Sequence, residues 1–344
     1  MQLSDFDFNL PPELIAKSPA EKRTDSRMMI VNRQHAAIRH DRFHSFVENL
    51  MPGDLLVMND TRVIPARLFG KKETGGKVEV FLTEQLDSDA KEWECLTKSS
   101  RSIKVGTKLI FAEGLIGEIF AGAAPPKSRI RFNCDGNVAE LLDRIGHIPL
   151  PPYIDRDDTA VDRERYQTVF AKNDGALAAP TAGLHFSDET LERLASGGID
   201  VRYITLHVGI GTFLPVRVEN VLEHQMHEER YYVDPETAAA INDAKQSGRR
   251  IVAVGTTVAR TLESVSNEAT GQISSGGGKT GIFIYPGYKF KVVDMLLTNF
   301  HLPQSTLLML VSAFAGREFV MEAYRQAIEE KYRFYSYGDC MLIQ

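Results

Sequence analysis

The sequence predicts an α/β protein: a large α/β domain with an inserted small all-β barrel domain. Three observations point there. Continuous apolar runs such as Leu55-Leu56-Val57-Met58 and Ile251-Val252-Ala253-Val254 read as strands buried on both faces, as parallel sheets require. In the second half such runs alternate with helix-sized segments. From Ile64 to Arg131, by contrast, short alternating runs follow one another with Gly-containing turns and no helix, which reads as a barrel. Residues 1–62 and 146–344 are therefore expected to form the α/β domain, and residues 63–145 the insertion. At about 100–200 residues per domain, 344 residues suffice for two or three units.

The elements follow in order. A Pro-containing arm, Leu10 to Ala16, precedes a short strand, Met28 to Val31, and the Leu55–Met58 strand ends in the polar turn Asn59-Asp60-Thr61-Arg62. Barrel strands are expected at 77–82, 93–96, 108–111, 116–119 and 129–132, then a short helix from Val138 to Ile145. Prolines 149, 151 and 152 make the return connector rigid and extended. Ser187 can cap a helix to about Ala195, and strand Ile199 to Leu206 follows. Asp234-Pro235-Glu236 is a helix start, since Asp caps free amides and Pro fits the first helical position. After the Ile251–Val254 strand, a helix runs from Gly255 to about Ser264. The stretch Asn267 to Thr280, with Ser274-Ser275-Gly276-Gly277-Gly278, reads as a mobile loop. Val292 to Leu297 is a buried strand, and helices near 305–315 and 318–330 finish the chain.

Composition excludes several classes. Cys95, Cys134 and Cys340 are far apart and form no C-x-x-C pair, so neither a disulfide framework nor a cysteine zinc site is expected. His224 and His227 are spaced by three, not the four of a helical zinc pair, and no metal is expected. The start Met1 to Asp7 lacks the basic and apolar runs of a secretion signal, and Ser305 to Ala315 is shorter than the ~20 residues of a membrane helix. A cytoplasmic protein without a membrane segment is expected, with a monomer preferred. Net charge is −6, yet residues 62–131 hold thirteen Lys/Arg against nine Asp/Glu. A basic insertion on an acidic body is compatible with local RNA contact, though charge alone favours a plain basic surface with no partner.

Four strands end in polar turns: Asn59 to Arg62, His207 to Thr212, Gly255 to Thr257 and Thr298 to His301. Ligands of α/β folds bind beyond the carboxyl ends of strands, so these turns are expected to share one pocket. Gly209-x-Gly211 lets backbone approach a ligand or simply turns tightly. It lacks the third glycine and the following helix of a dinucleotide fingerprint. Gly255-Thr256-Thr257 can bind a carboxylate or phosphate at a helix start, or serve as a plain cap. His185, His207 and His301 lie beside glycines or at strand ends, where imidazole is the natural acid or base near neutral pH.

Together these residues resemble a known family. The segments Asn59 to Leu68, Ala179 to Phe186, His207 to Phe213, Val254 to Arg260 and Thr298 to Pro303, with Gly281 to Tyr288 and Tyr335 to Asp339, are similar to the S-adenosylmethionine:tRNA ribosyltransferase-isomerases of queuosine biosynthesis. One stretch departs: Lys98-Ser99-Ser100-Arg101-Ser102 stands where the family has a Lys-Pro-(Gly/Ala)-Arg-type turn. The resemblance implies a large α/β domain with a smaller barrel. It implies S-adenosyl-L-methionine as co-substrate, donating ribosyl rather than methyl. The acceptor is the aminomethyl group of 7-aminomethyl-7-deazaguanine at the tRNA wobble position, and the products are epoxyqueuosine-tRNA, adenine and methionine. On that basis His185, His207 and His301 are candidate proton-handling residues, oriented by Asp60 or Asp339. Gly255, Thr256 and Thr257 are expected to hold the methionine carboxylate, with Arg62 or Arg260 adding a forked contact. Phe186, Phe213 and Tyr337 are expected to flank adenine or the deazaguanine. Thr181, Gly183, Gly209, Gly211, Thr212 and Asn299 complete the expected substrate-binding set.

Two other classes compete. An S-adenosylmethionine-dependent RNA methyltransferase would share the co-substrate but release S-adenosylhomocysteine, and no acidic, glycine-rich loop of that type precedes residue 60. A non-catalytic RNA-binding module would need a strongly basic surface, against which the net charge counts.

Overall fold

The computed structural model describes residues 1–122, 127–134 and 136–344. The chain divides into two compact units: Met1–Arg62 with Pro151–Arg156 and Arg165–Gln344, and Val63–Leu150 with Asp157–Glu164.

The first unit is built on a nine-stranded sheet. Its order is Gly276–Thr280, Glu229–Val233, Asp200–Leu206, Leu55–Asn59, Ile251–Val254, Met295–Asn299, Cys340–Ile343, Arg27–Asn32, Ala37–Arg42. The four strands from Asp200–Leu206 to Met295–Asn299 run parallel to one another. Period-two alternation sends Leu55 and Val57 into one apolar cluster and Leu56 and Met58 into the other, so the sheet is buried on both faces. Helices Pro235–Gln246, Thr256–Val265, Thr306–Ala315 and Arg317–Glu329 cover the first face; Asp188–Ser196 and the stacked Phe43 and Phe46 cover the second.

Local chemistry sets the helix starts. Asp234 accepts from the Thr237 amide at 2.8 Å, and Ser187 accepts from that of Thr190 at 3.2 Å. The Gly-rich stretch expected to be a mobile loop is in part an edge strand: Gly276–Thr280 pairs antiparallel with Glu229–Val233. Its lack of side chains has a use, because a Cβ on Gly278 would come within 2.6 Å of the Tyr231 hydroxyl. The strand expected from Val292 begins later, at Met295. Val292 and Val293 instead give their amides to Glu263, at 3.0 and 3.1 Å.

The second unit contains a closed six-stranded antiparallel barrel: Lys127–Asn133, Glu92–Ser99, Lys77–Gln85, Arg67–Lys72, Lys108–Ile110, Ile116–Gly122. Val78, Val80, Leu82, Cys95, Leu109 and Ile130 are buried by it. Helix Val138–Ile145 is capped by Asn137. This unit runs beyond residue 145: Arg67 and His147 exchange backbone hydrogen bonds, and Asp158 accepts from His147 Nδ1 at 2.7 Å and the Ile148 amide at 2.9 Å. Helix Ala160–Arg165 was not foreseeable from the proline-rich connector. No helix among the described residues is long and apolar enough to cross a membrane.

Buried Glu263 also accepts from the Lys291 amide at 2.9 Å and the Tyr288 hydroxyl at 3.1 Å, so one carboxylate fixes the entry to the Met295–Asn299 strand. Glu263→Ala should cost about 3 kcal/mol or more, since three amides lose their acceptor at once. Urea denaturation checks it; a midpoint equal to wild type would refute the clamp.

Candidate active-site rim

The four expected turns leave the carboxyl ends of four neighbouring parallel strands. Strands lie about 4.8 Å apart, so the turns form one continuous rim.

At the centre sits Asn59. Its Oδ1 accepts from the Leu206 amide at 3.0 Å and the Thr61 amide at 3.1 Å. Its Nδ2 donates to the Leu206 carbonyl at 2.9 Å and the Thr257 hydroxyl at 3.4 Å. Thr61 Oγ1 thereby meets His207 Nδ1 at 2.8 Å. His207 is half-buried, and its Nε2 has no hydrogen-bond partner among the described residues. Burial lowers its pKa, Arg230 lowers it further, and Asp60 and Asp174 oppose this. Asp60 accepts from Thr205 Oγ1 at 2.6 Å and Asn173 Nδ2 at 3.0 Å. Arg62 is exposed, 3.7 Å from Asp174.

Gly255 takes φ +94, a conformation that glycine adopts without strain, and helix Thr256–Val265 starts behind it with no side-chain cap. Its first amides therefore keep their donors for the rim. Arg260 is buried on Glu229, whose other oxygen accepts from the Gly209 amide at 3.0 Å. One guanidinium nitrogen, Nη2, is buried without a partner. Gly211 lies beneath the His227 ring, Thr212 is exposed, and Phe213 is half-buried against the core.

Asn299 ends its strand as Asn59 does. Its Nδ2 donates to the Tyr335 carbonyl at 2.9 Å, so its Oδ1 faces His185 Nε2 at 3.1 Å. The proton thus sits on Nε2, and His185 Nδ1 accepts from the Ser26 hydroxyl at 2.9 Å. Both ring nitrogens are used. Burial holds this imidazole down at about 4, with Arg23 and Arg333 adding to the effect. His301 is buried with Nε2 2.8 Å from Thr298 Oγ1, and burial lowers its pKa to about 3.

Several expected residues have other work. Phe186 is fully buried, edge-on to Phe43 and Phe46, and leaves no ring face for a ligand. Tyr337 is buried edge-on to Tyr166. Asp339 spends its two oxygens on the Arg27 and Arg333 amides, each at 2.8 Å, and so clamps backbone rather than orienting a histidine. Thr181 and Gly183 lie in the 3-10 turn Thr181–His185, with Gly183 packed under Thr168 and Phe170.

The model of the queuosine biosynthesis protein family matches residues 3–343. The chain belongs to this family. A member from Syntrophotalea carbinolica, named S-adenosylmethionine:tRNA ribosyltransferase-isomerase, is 54% identical over 343 residues, covering 100% of both chains. One of the same name from Carboxydothermus hydrogenoformans is 53% identical over 344 residues, again covering 100% of both. The crystal structure of the S-adenosylmethionine tRNA ribosyltransferase from Thermotoga maritima is similar at 38% identity and TM-score 0.56, covering 99% of this chain and 100% of that one. The family expected from the motifs is the family found, and so is its mixed α/β fold with a barrel.

Sequence reasoning missed Ser26, Asn173, Thr205, Glu229 and Tyr335 as partners of rim groups. Ser26 and His185 are 159 positions apart, and no local pattern announces such a pair.

The lowered histidines set a pH dependence of stability. Unfolded histidine binds its proton near pH 6.5, whereas His185 and His301 in the fold bind theirs only near 4 and 3. The stability they contribute is complete above pH 6.5 and is lost as pH falls toward 4, by about 1.4 kcal/mol per pH unit per histidine. His301→Gln should flatten the wild-type fall between pH 6.5 and 4.5 in denaturant titrations. An unchanged slope would contradict the assignment.

Proposed function

We propose that this chain transfers and isomerises the ribosyl moiety of S-adenosyl-L-methionine onto the aminomethyl group of 7-aminomethyl-7-deazaguanine at the tRNA wobble position. The products are epoxyqueuosine-tRNA, adenine and methionine. The observation that carries the reading is a rim of four parallel strand ends holding a neutral, accessible imidazole, in a chain of this family.

The sulfonium acidifies the C5′ hydrogens of the ribose, so a base must take one. His207 fits that task best of the three histidines. Its Nε2 is open, Thr61 fixes the ring, and its lowered pKa keeps it neutral at pH 7. Once protonated, it faces Asp60 and Asp174, and it can return the proton to departing adenine. His185 and His301 are positioning residues in this reading. The free amides behind Gly255 suit the methionine carboxylate, with Arg260 Nη2 the remaining forked donor. Arg62, exposed and near Asp174, is the weaker candidate. On the barrel, Lys71 lies directly opposite Lys77 across an antiparallel pair, a repulsion that an RNA backbone relieves.

Incubation with S-adenosylmethionine and tRNA bearing the deazaguanine should release adenine and methionine. Release of S-adenosylhomocysteine would make the chain a methyltransferase instead. His207→Ala should lower kcat about 10²- to 10⁴-fold with an unchanged melting temperature. Wild-type turnover in that variant would remove His207 from proton transfer. Charge reversal at Lys71 and Lys108 should weaken tRNA binding and flatten its salt dependence; identical salt slopes would exclude the barrel.

A further inference from the structure

A short strand with no apolar pattern of its own, Asn173–Ala176, lies against His207. Both ends of this segment are tied to the rim. In front, the Lys172 and Asn173 amides donate to the Asp60 carbonyl at 2.8 and 3.2 Å. Asn173 Nδ2 adds bonds to Asp60 Oδ2 at 3.0 Å and to Thr205 Oγ1 at 2.9 Å. Behind, the Leu177 amide donates to the Val208 carbonyl at 2.8 Å. The segment is thus a strap between two of the rim turns. Midway along it, a Cβ added to Gly175 would stand 2.9 Å from His207 Nδ1, 3.0 Å from Cε1 and 3.1 Å from Cγ. Three nearly equal distances to consecutive ring atoms place it over the ring face, not at the ring edge. Carbon contacts that short do not persist in a packed protein, so a side chain here would displace the imidazole. Gly175 also takes φ +143, which glycine adopts without strain.

We propose that Gly175 is a positioning residue for the proton-transfer step: by carrying no side chain, it lets the strap lie on the His207 ring and fix the plane of that imidazole. The inference rests on the reading of His207 as the base given above. Thr61 Oγ1 holds the ring edge at Nδ1, at 2.8 Å, but a single hydrogen bond leaves the ring free to swing about it. Backbone against the face blocks that swing. Nε2 then keeps one direction, with no partner among the described residues. A base works from a near-attack geometry, where a misplacement of about 1 Å can cost about 10²-fold in rate. The strap also belongs to the packing that keeps water from the ring. That burial is the largest cause of the lowered pKa; Arg230 adds to it, while Asp60 and the strap's own Asp174 oppose it.

Gly175→Ala, His207→Ala and the double variant, all in the full chain, form the test. Histidine titration is followed by NMR without substrate, the His207 signal being assigned by its loss in His207→Ala. Gly175→Ala should push the ring toward water, so its titration should move up toward the ordinary histidine value. With S-adenosylmethionine and tRNA bearing the deazaguanine, kcat should fall about tenfold or more, with KM for S-adenosylmethionine held. In the His207→Ala background the Cβ has room, and the same substitution should change kcat by less than about twofold. An unmoved His207 titration in Gly175→Ala, or an equal loss of kcat in both backgrounds, would overturn the proposal. Should Gly175→Ala alone be too unstable to measure, the double variant separates the causes. Removing the ring restores the melting temperature if the Cβ meets the imidazole. A melting temperature that stays low assigns the damage to the backbone angle alone and also overturns the proposal. Wild-type turnover in His207→Ala would instead remove the base assignment and leave the titration result standing, so the two failures are distinct.

Discussion

Everything at the rim hangs on the side-chain amide of Asn59. It is buried where no water can satisfy it, so its donors and acceptor must all be used within the protein. They are used on three different elements: the chain's own turn at Thr61, the neighbouring strand end at Leu206, and the helix start at Thr257. An amide carries two donors and an acceptor with two lone pairs, which a carboxylate or hydroxyl of similar size cannot match. Asn299 repeats the device two strands away, joining Tyr335 to His185. Each asparagine sets one histidine: Asn299 directly, and Asn59 through the placement of Thr61.

That arrangement explains why three histidines of similar sequence context differ in chemistry. An imidazole inside the protein resists protonation because its cation loses hydration. His185 and His301 are deep enough that their titration moves far below neutrality; His185 uses both ring nitrogens and His301 its Nε2. His207 is only half-buried, retains an open nitrogen and faces two carboxylates as well as Arg230. Sequence position alone, at the end of a strand beside a glycine, does not distinguish these cases. Depth does, and depth is a property of the packed chain.

The same division governs what the sequence reveals of the fold. Strands buried on both faces announce themselves as apolar runs, and caps such as Asp234 and Ser187 act within three residues, so both are legible. The edge strands are not. Ala37–Arg42 is mostly exposed, and Gly276–Thr280 has almost no side chains; each exists because a distant strand offers backbone partners. The four rim turns were legible because strand ends are. Their partners Ser26, Asn173 and Glu229 come from elsewhere in the chain, and Phe186 looked available only because a sequence does not show that Phe43 and Phe46 cover it.

Charge is laid out along the rim in a way that a single reacting group would not require. Toward His207 stand Asp60 and Asp174, opposed by Arg230, while the Glu229 carboxylate is matched by Arg260. Toward His185 stand Arg23 and Arg333, whose charges disfavour its protonation. A sulfonium beside Asp60 and Asp174 would meet the opposite charge. The co-substrate would then be oriented before any proton moves.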